Sequence, residues 1–181
     1  MYTFKDVSAD TNREVIGMRT ILRRGILLHE TIGFSSLHYL QGGALSEGKK
    51  VSADYLISRT GDIYQITPPG YYAFHSGVAR WQLYQESDRS INQGFVGVEL
   101  ENNPSMGERI PAPEYIALAW LIRQLCAVFE IDVRNIVGHY QVALPSGRKS
   151  DPVTLNWVML TDELMSPSRE SLQLHVSGKL S

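Results

Sequence analysis

The 181-residue chain has little cysteine, no excess of one charge and no long apolar run. Its single cysteine, Cys126, excludes an internal disulfide, and its apolar surroundings favour a small buried side chain over a reactive thiol. Lys and Arg total 17 against 19 Asp and Glu, so there is no electrostatic footprint for nucleic acid or an anionic membrane surface. No apolar run approaches the roughly 20 residues that span a bilayer, and the first residues lack the features of a secretory signal. We therefore predict no nucleic-acid or membrane partner and a protein that is cytoplasmic as synthesised.

Length and composition predict one domain. With 43% hydrophobic and 20% charged residues, a chain of this size can bury a sizeable core. We predict a single domain over residues 1–181, with the core at about 20–165 and a polar C-terminal tail at 166–181.

Local patterns predict alternating strands and helices. Apolar runs and period-two alternation indicate strands at 25–29, 51–57, 63–66, 94–101 and 135–139. Pro111 introduces a helix whose apolar side chains recur at i, i+3, i+4, i+7 and i+11, and a last helix is predicted around 155–165. Residues 67–92 lack clear periodicity and are predicted to form a long loop beside a groove. The predicted fold class is α/β, a single domain with a mixed central β-sheet flanked by α-helices.

Two histidines far apart in the chain have equivalent local settings. His29 and His139 each close a short apolar run, so each is predicted at the end of a buried strand, where active sites collect. Asp151 follows His139 by one loop. Two neutral imidazoles and one carboxylate leave a fourth tetrahedral position free for water, which is typical of catalytic zinc. We therefore predict that His29, His139 and Asp151 bind Zn²⁺.

The strand at 94–101 carries two glutamates on one face. Alternation directs Val96, Val98 and Leu100 to one side, and Glu99 and Glu101 to the other. The second face could therefore line a polar cleft. Taken alone, each glutamate is most simply a solvated surface charge.

Several segments together resemble those of a known family. They are Ile26-Leu-Leu-His29-Glu-Thr31, Val51-Ser-Ala53, Arg59-Thr-Gly61, Phe74-His-Ser-Gly77, Val96-Gly-Val-Glu99-Leu, and Val137-Gly-His139 followed by Gly147-Arg-Lys-Ser-Asp-Pro152. In order and spacing, residues 25 to about 157 resemble the zinc-dependent N-acetylmuramoyl-L-alanine amidases, which include AmpD-like enzymes, phage lysozyme-type amidases and peptidoglycan recognition proteins. The ordered set is more specific than any one motif.

The resemblance implies an activity and two catalytic residues. It implies an amidase domain that cleaves the amide between the lactyl group of N-acetylmuramic acid and L-alanine, with peptidoglycan or muropeptides as partners. Glu99 matches the catalytic glutamate of the AmpD-like branch, and Lys149 matches the lysine two residues before the aspartate ligand. Glu99 would then act as general base and acid, and Lys149 would stabilise the oxyanion. The other branch uses a hairpin tyrosine, where this chain has Ala53, with Tyr55 nearby.

Further positions leave alternatives open. His75 lies in a segment that borders the substrate groove in the family, or it is structural. Arg148 either binds a substrate carboxylate or caps a surface loop. Asp54 and Val153 depart from the family pattern, in which histidine and glycine are usual, and this bears on substrate details more than on zinc. His38 and His175 are interpreted as structural or solvated.

Three functions remain in competition at this stage. The leading hypothesis is a zinc amidase acting on peptidoglycan, a phage or prophage endolysin that is released to the cell wall during lysis. A cytoplasmic amidase that recycles muropeptides is the alternative role for the same activity. The first alternative is a non-catalytic peptidoglycan-binding module on the same fold, although here both the ligand and the catalytic positions are filled. The second is a zinc hydrolase that acts on another amide.

Overall fold

The computed structural model describes residues 4–18, 23–33, 36–81 and 91–166. Within these residues six strands form the main sheet, in the order β1-β5-β4-β7-β3-β8. The strands are β1 (Phe4–Asp6), β3 (Gly25–Glu30), β4 (Tyr55–Ile57), β5 (Ile63–Gln65), β7 (Phe95–Leu100) and β8 (Ile136–Gly138). Only the β4–β5 pair is antiparallel, as the predicted hairpin requires. The sheet is therefore mixed, which confirms the predicted fold class.

The helices are α1 (Ser36–Leu40), α2 (Ile91–Gly94), α3 (Ala112–Phe129), α4 (His139–Val142) and α5 (Trp157–Met165). The apolar stripe predicted on α3 packs into the largest core cluster together with residues of α5 and one face of the sheet. By length and composition alone α3 could cross a bilayer. In the fold, however, one face of α3 is buried against the core, as in the core helix of a globular domain. Cys126 is half-buried on this helix, and burial raises the pKa of its thiol.

The central strands β3 and β7 are covered on both faces. Ile26, Leu28 and Val98 pack in the cluster under α3, whereas Leu27 and Phe95 join a second cluster on the opposite face. Parallel strands covered in this way have near-continuous apolar sequences. The prediction for β7 is therefore only half right, because on the face of Glu99 Phe95 packs in the second cluster and Gly97 lies under the ring of His75. Only its carboxyl end opens into a polar cleft.

Several short elements differ from the predictions. Residues 67–92, predicted as a loop, contain β6 (Tyr71–Ala73), which pairs antiparallel with β2 (Ile16–Met18). The edge strand β1, which has no counterpart among the predicted strands, pairs parallel with β5. The strand predicted at 135–139 ends at Gly138, and His139 opens α4. Of the predicted C-terminal tail only Ser166 is described, so its polar character in the fold, and the interpretation of His175, lie outside the described residues.

Candidate metal centre and active site

Three neighbouring parallel strands bring the predicted site residues together. His29 lies on β3 beside Glu99 on β7, because these two residues are paired in register. The strand β8 follows on the other side of β3 and delivers His139 at its carboxyl end. Ligands of open α/β sheets bind outside the carboxyl ends of parallel strands, and this site has that location.

Three donor atoms converge at this edge. The Nδ1 atoms of His29 and His139 are 3.0 Å apart, and the Oδ2 atom of Asp151 is 3.3 Å and 3.1 Å from them, respectively. These residues form the metal-capable cluster of the described part of the chain. Ligands at zinc distances of about 2.1 Å in a tetrahedron lie about 3.4 Å apart, so the donor atoms are close to the separation that zinc needs. The cluster therefore fits a zinc ion in type, number and spacing of ligands.

The second nitrogen of each ligand histidine has a partner. Nε2 of His139 is 2.9 Å from the carbonyl oxygen of Ser76. Since a carbonyl can only accept, the proton of His139 lies on Nε2 and the lone pair of Nδ1 faces the cluster. Nε2 of His29 is 3.0 Å from Nδ1 of His75. Such outer partners fix the orientation of metal-binding histidines.

The charges of the cluster favour a metal cation. Burial lowers the pKa of His29 to about 4, against an opposing hydrogen bond with Asp151, so the imidazole is neutral at pH 7. Burial disfavours ionisation of Asp151, but its hydrogen bonds with His139 and His29 outweigh this and hold its pKa well below the ordinary range. Neutral imidazoles and an ionised carboxylate are the protonation states that metal binding requires.

Glu99 is a half-buried glutamate next to the cluster. Burial raises its pKa to about 8, the negative charge of Asp151 adds to that effect, and the ammonium of Lys149 opposes it. Its Oε2 atom is buried without a hydrogen-bond partner among the described residues. A carboxyl that can exchange a proton near neutral pH is suited to general acid and base catalysis.

Lys149 and Arg148 are neighbours with different surroundings. Both line the cleft, which has a volume of about 660 Å³ and also contains His29, His139, Asp151 and Glu99. Arg148 donates to the carbonyl oxygens of Leu144, Ser76 and Val78 at 2.7, 3.0 and 2.8 Å, respectively. These contacts favour the loop-anchoring interpretation of Arg148. Lys149 is exposed, and its charge acts on Glu99.

Glu30 is a functional neighbour that the sequence interpretation did not assign. Its carboxylate accepts from the backbone nitrogens of Val153 and Thr154 at 2.7 and 3.1 Å, from the Thr154 hydroxyl, and from the side chain of Asn102. These bonds hold the segment that follows Asp151. The sequence signal for a role of Glu30 near the site is its position on a buried strand, one residue after a predicted ligand.

Of the two positions that depart from the family pattern, Asp54 is buried in the fold and Val153 is exposed. Asp54 binds Arg23 at 2.6 Å and the backbone nitrogen of Gly97 at 2.9 Å, so it is part of a buried ion pair. Tyr55 packs in the cluster under α3, on the face opposite Glu99, and Ala53 is fully buried. The tyrosine that the other branch would use is therefore absent from the part of the cleft that the structure describes. Val153 is exposed and lines the cleft.

Comparison with known proteins gives related sequences. A family model described as N-acetylmuramoyl-L-alanine amidase matches residues 18–154. The 1,6-anhydro-N-acetylmuramyl-L-alanine amidase AmpD of Salmonella typhimurium is 35% identical over 103 residues, which are 57% of this chain and 51% of the relative. The chain spans about half the length of the curated relatives it matches first.

Solved structures share the fold. A mutant endolysin from Bacillus subtilis superposes with a TM-score of 0.66 at 19% identity, over 91% of this chain and 99% of that chain. The amidase AmiD from E. coli, in complex with the substrate anhydro-N-acetylmuramic acid-L-Ala-D-gamma-Glu-L-Lys, gives a TM-score of 0.63 at 24% identity, over 80% and 58% of the two chains. At these identities the likeness concerns the fold.

Proposed function

Because the chain belongs to the N-acetylmuramoyl-L-alanine amidase family, we propose that it hydrolyses the amide between the lactyl group of N-acetylmuramic acid and L-alanine in peptidoglycan fragments. The observation that carries the proposal is the convergence of His29, His139 and Asp151 beside Glu99, whose Oε2 atom is buried. A non-catalytic binding module has no need of a metal-capable triad next to a carboxyl whose pKa is raised to about 8.

We assign the metal role to the triad and the proton role to Glu99. Zinc held by His29, His139 and Asp151 would lower the pKa of a water molecule and polarise the scissile carbonyl. Glu99, at the end of β7 and outside the triad, accepts the proton of the attacking water. It later donates a proton to the nitrogen of the leaving L-alanine.

Lys149 has a separate proposed role. Its ammonium lies at the mouth of the cleft, two residues before Asp151, where it can approach the negative charge that develops on the scissile carbonyl oxygen. One well-placed donor of this kind commonly contributes about 3 kcal/mol, or roughly a hundredfold in rate. Lys149→Met should therefore lower kcat about a hundredfold while the bound metal, measured by elemental analysis, stays at the wild-type level.

For the biological role we favour small muropeptides over intact cell wall. The relatives at 34–35% identity are named as 1,6-anhydro-N-acetylmuramyl-L-alanine amidases, which supports a recycling enzyme. The endolysin role predicted from the sequence stays the alternative, because the fold is also that of endolysins. The predicted cytoplasmic location and single-domain organisation stay predictions.

Digestion with product analysis tests the proposal. The zinc-loaded protein is incubated with purified sacculi and, separately, with soluble anhydro- and reducing-end muropeptides, with and without a chelator. We expect chelator-sensitive release of stem peptides with a free L-alanine amino group, faster from the soluble fragments. Faster clearance of sacculi would instead identify an endolysin, and intact substrate in every arm would contradict the amidase assignment.

A further inference from the structure

The adjacent residues His75 and Ser76 contact the two ligand histidines on the side that faces away from the donor cluster. Nδ1 of His75 lies 3.0 Å from Nε2 of His29, and the carbonyl oxygen of Ser76 lies 2.9 Å from Nε2 of His139. In both cases the contact is made to the ring nitrogen that faces away from the donor cluster. His75 is therefore not a fourth ligand, although its ring is buried and edge-on to His29.

The two contacts differ in how firmly they fix the proton. The Ser76 carbonyl can only accept, so it keeps the proton of His139 on Nε2. The contact between His29 and His75 joins two imidazoles, either of which can donate. For Nδ1 of His29 to offer its lone pair to a metal, Nε2 of His29 must donate and Nδ1 of His75 must accept. The proton of a neutral His75 then lies on its Nε2, a buried nitrogen that has no hydrogen-bond partner among the described residues.

The surrounding structure holds the ring of His75 in this place. Oδ1 of Asn92 accepts from the backbone nitrogens of His75 and Ser76 at 3.0 and 2.8 Å. The ring lies against the backbone of Gly97, where an added Cβ would come within 2.6 Å of it. Gly97 also binds Asp54, the partner of buried Arg23. The position of the acceptor is thus fixed by three parts of the chain far from it in sequence.

We propose that His75 is a positioning residue for the metal, which acts by accepting the Nε2 proton of His29 and so orienting that ligand. The inference rests on the metal site of the proposed function. Without the acceptor, the buried N–H of His29 would lose its partner, and the ring could rotate or take the tautomer that cannot bind the metal. Loss of such an outer partner commonly weakens metal binding by about 10- to 100-fold.

A matched pair of variants distinguishes the hydrogen bond that His75 accepts from the space that its ring fills. In His75→Asn the amide oxygen takes roughly the place of Nδ1, whereas the side chain of Leu in His75→Leu is of similar size and offers no acceptor. We would measure Zn²⁺ affinity by competition with a chromogenic chelator, and the visible spectrum of the Co²⁺-loaded protein. Circular dichroism of the metal-free proteins checks the fold.

The expected result is a loss of Zn²⁺ affinity of about 10- to 100-fold in His75→Leu, with a changed Co²⁺ spectrum, and a loss of at most about threefold in His75→Asn. Equal affinities in the two variants, whether retained or lost, would show that the ring only fills space and would overturn the inference. The wild-type protein and His139→Ala are the references. If the wild type binds no more Zn²⁺ than His139→Ala, the proposed function fails instead.

Discussion

Burial of the carboxyl raises the pKa of both Glu99 and Glu114 to about 8, yet the two glutamates lie in different places. Burial is the main cause in each case. Oε2 of Glu99 has no hydrogen-bond partner among the described residues, and a backbone hydrogen bond at Glu101 offsets only part of the effect of burial on Glu114. The charges near them are different. Asp151 and Lys149 act on Glu99, whereas Arg59 and Glu101 act on Glu114, which lies in the first turn of α3. The charge of Glu30 acts on both.

The comparison shows that a raised pKa reports burial and not function. Glu114 is completely buried at the start of α3 and does not line the cleft. Glu99 is paired in register with His29, so its carboxyl is next to the donor cluster and to any substrate that enters. A perturbed pKa therefore indicates a catalytic group only together with access and a neighbouring reactive centre.

Replacing each glutamate by glutamine should lower kcat at Glu99 and leave it nearly unchanged at Glu114. Glu99→Gln keeps the size of the side chain but removes the proton acceptor, so kcat on a soluble muropeptide should fall by about 10²- to 10⁴-fold. Glu114→Gln should leave kcat within about twofold of the wild type, because this residue does not reach the cleft. Both constants come from initial rates at saturating substrate and zinc.

Metal content decides what a loss of activity means. Glu99→Gln should retain stoichiometric zinc, since the donor cluster does not include Glu99. Glu101→Gln, which changes a partly exposed glutamate two residues further along, serves as the matched control. Loss of zinc in Glu99→Gln would make Glu99 a ligand, and a comparable loss of activity in Glu114→Gln would remove the distinction between the two sites.

Stability should depend on pH through Glu114. Its pKa is raised from 4.5 to about 8 on folding, so the folded state binds the proton more tightly. Its favourable contribution is complete below pH 4.5 and is lost as the pH rises towards 8. At about 1.4 kcal/mol per pH unit, the wild type should lose on the order of 4 kcal/mol relative to Glu114→Gln between pH 5 and 8.

Urea unfolding of the metal-free proteins at several pH values measures this difference. Both proteins contain Glu99, so its contribution cancels when their free energies of unfolding are subtracted. A difference that does not change with pH would mean that Glu114 finds a hydrogen-bond partner or water in solution.

The sequence predicted the elements that depend on local patterns and on the ordered motifs. The stripe of α3, the β4–β5 hairpin and the two apolar strands β3 and β7 all have periodicity or length that a sequence window contains. The structure also brings together His29, His139 and Asp151, which were predicted as ligands.

Features that depend on contacts between distant segments were not predictable. Strands β2 and β6 have three residues each, too few for a pattern, and they form only because they pair with one another. The contact between His75 and His29 joins residues 46 positions apart, and the bonds of Glu30 to Val153 and Thr154 join residues more than 120 apart. Nothing local in the sequence distinguishes His75 from a solvated histidine, and the only local signal for Glu30 is its place on a buried strand directly after His29.

Glu30 is a third buried glutamate, and its carboxylate accepts several hydrogen bonds. It accepts from two backbone nitrogens, a hydroxyl and an amide, so its charge is compensated, unlike that of Glu114. Glu30→Gln replaces an acceptor by a donor among these groups and should lower the free energy of unfolding by about 1–2 kcal/mol at pH 8, where Glu114→Gln should raise it. The same substitution loosens the segment after Asp151, so Zn²⁺ affinity should fall severalfold while kcat at saturating zinc changes little. Chelator competition and urea unfolding measure the two effects, and a stability change of the same sign in both variants would show that hydrogen-bond donors do not distinguish these glutamates.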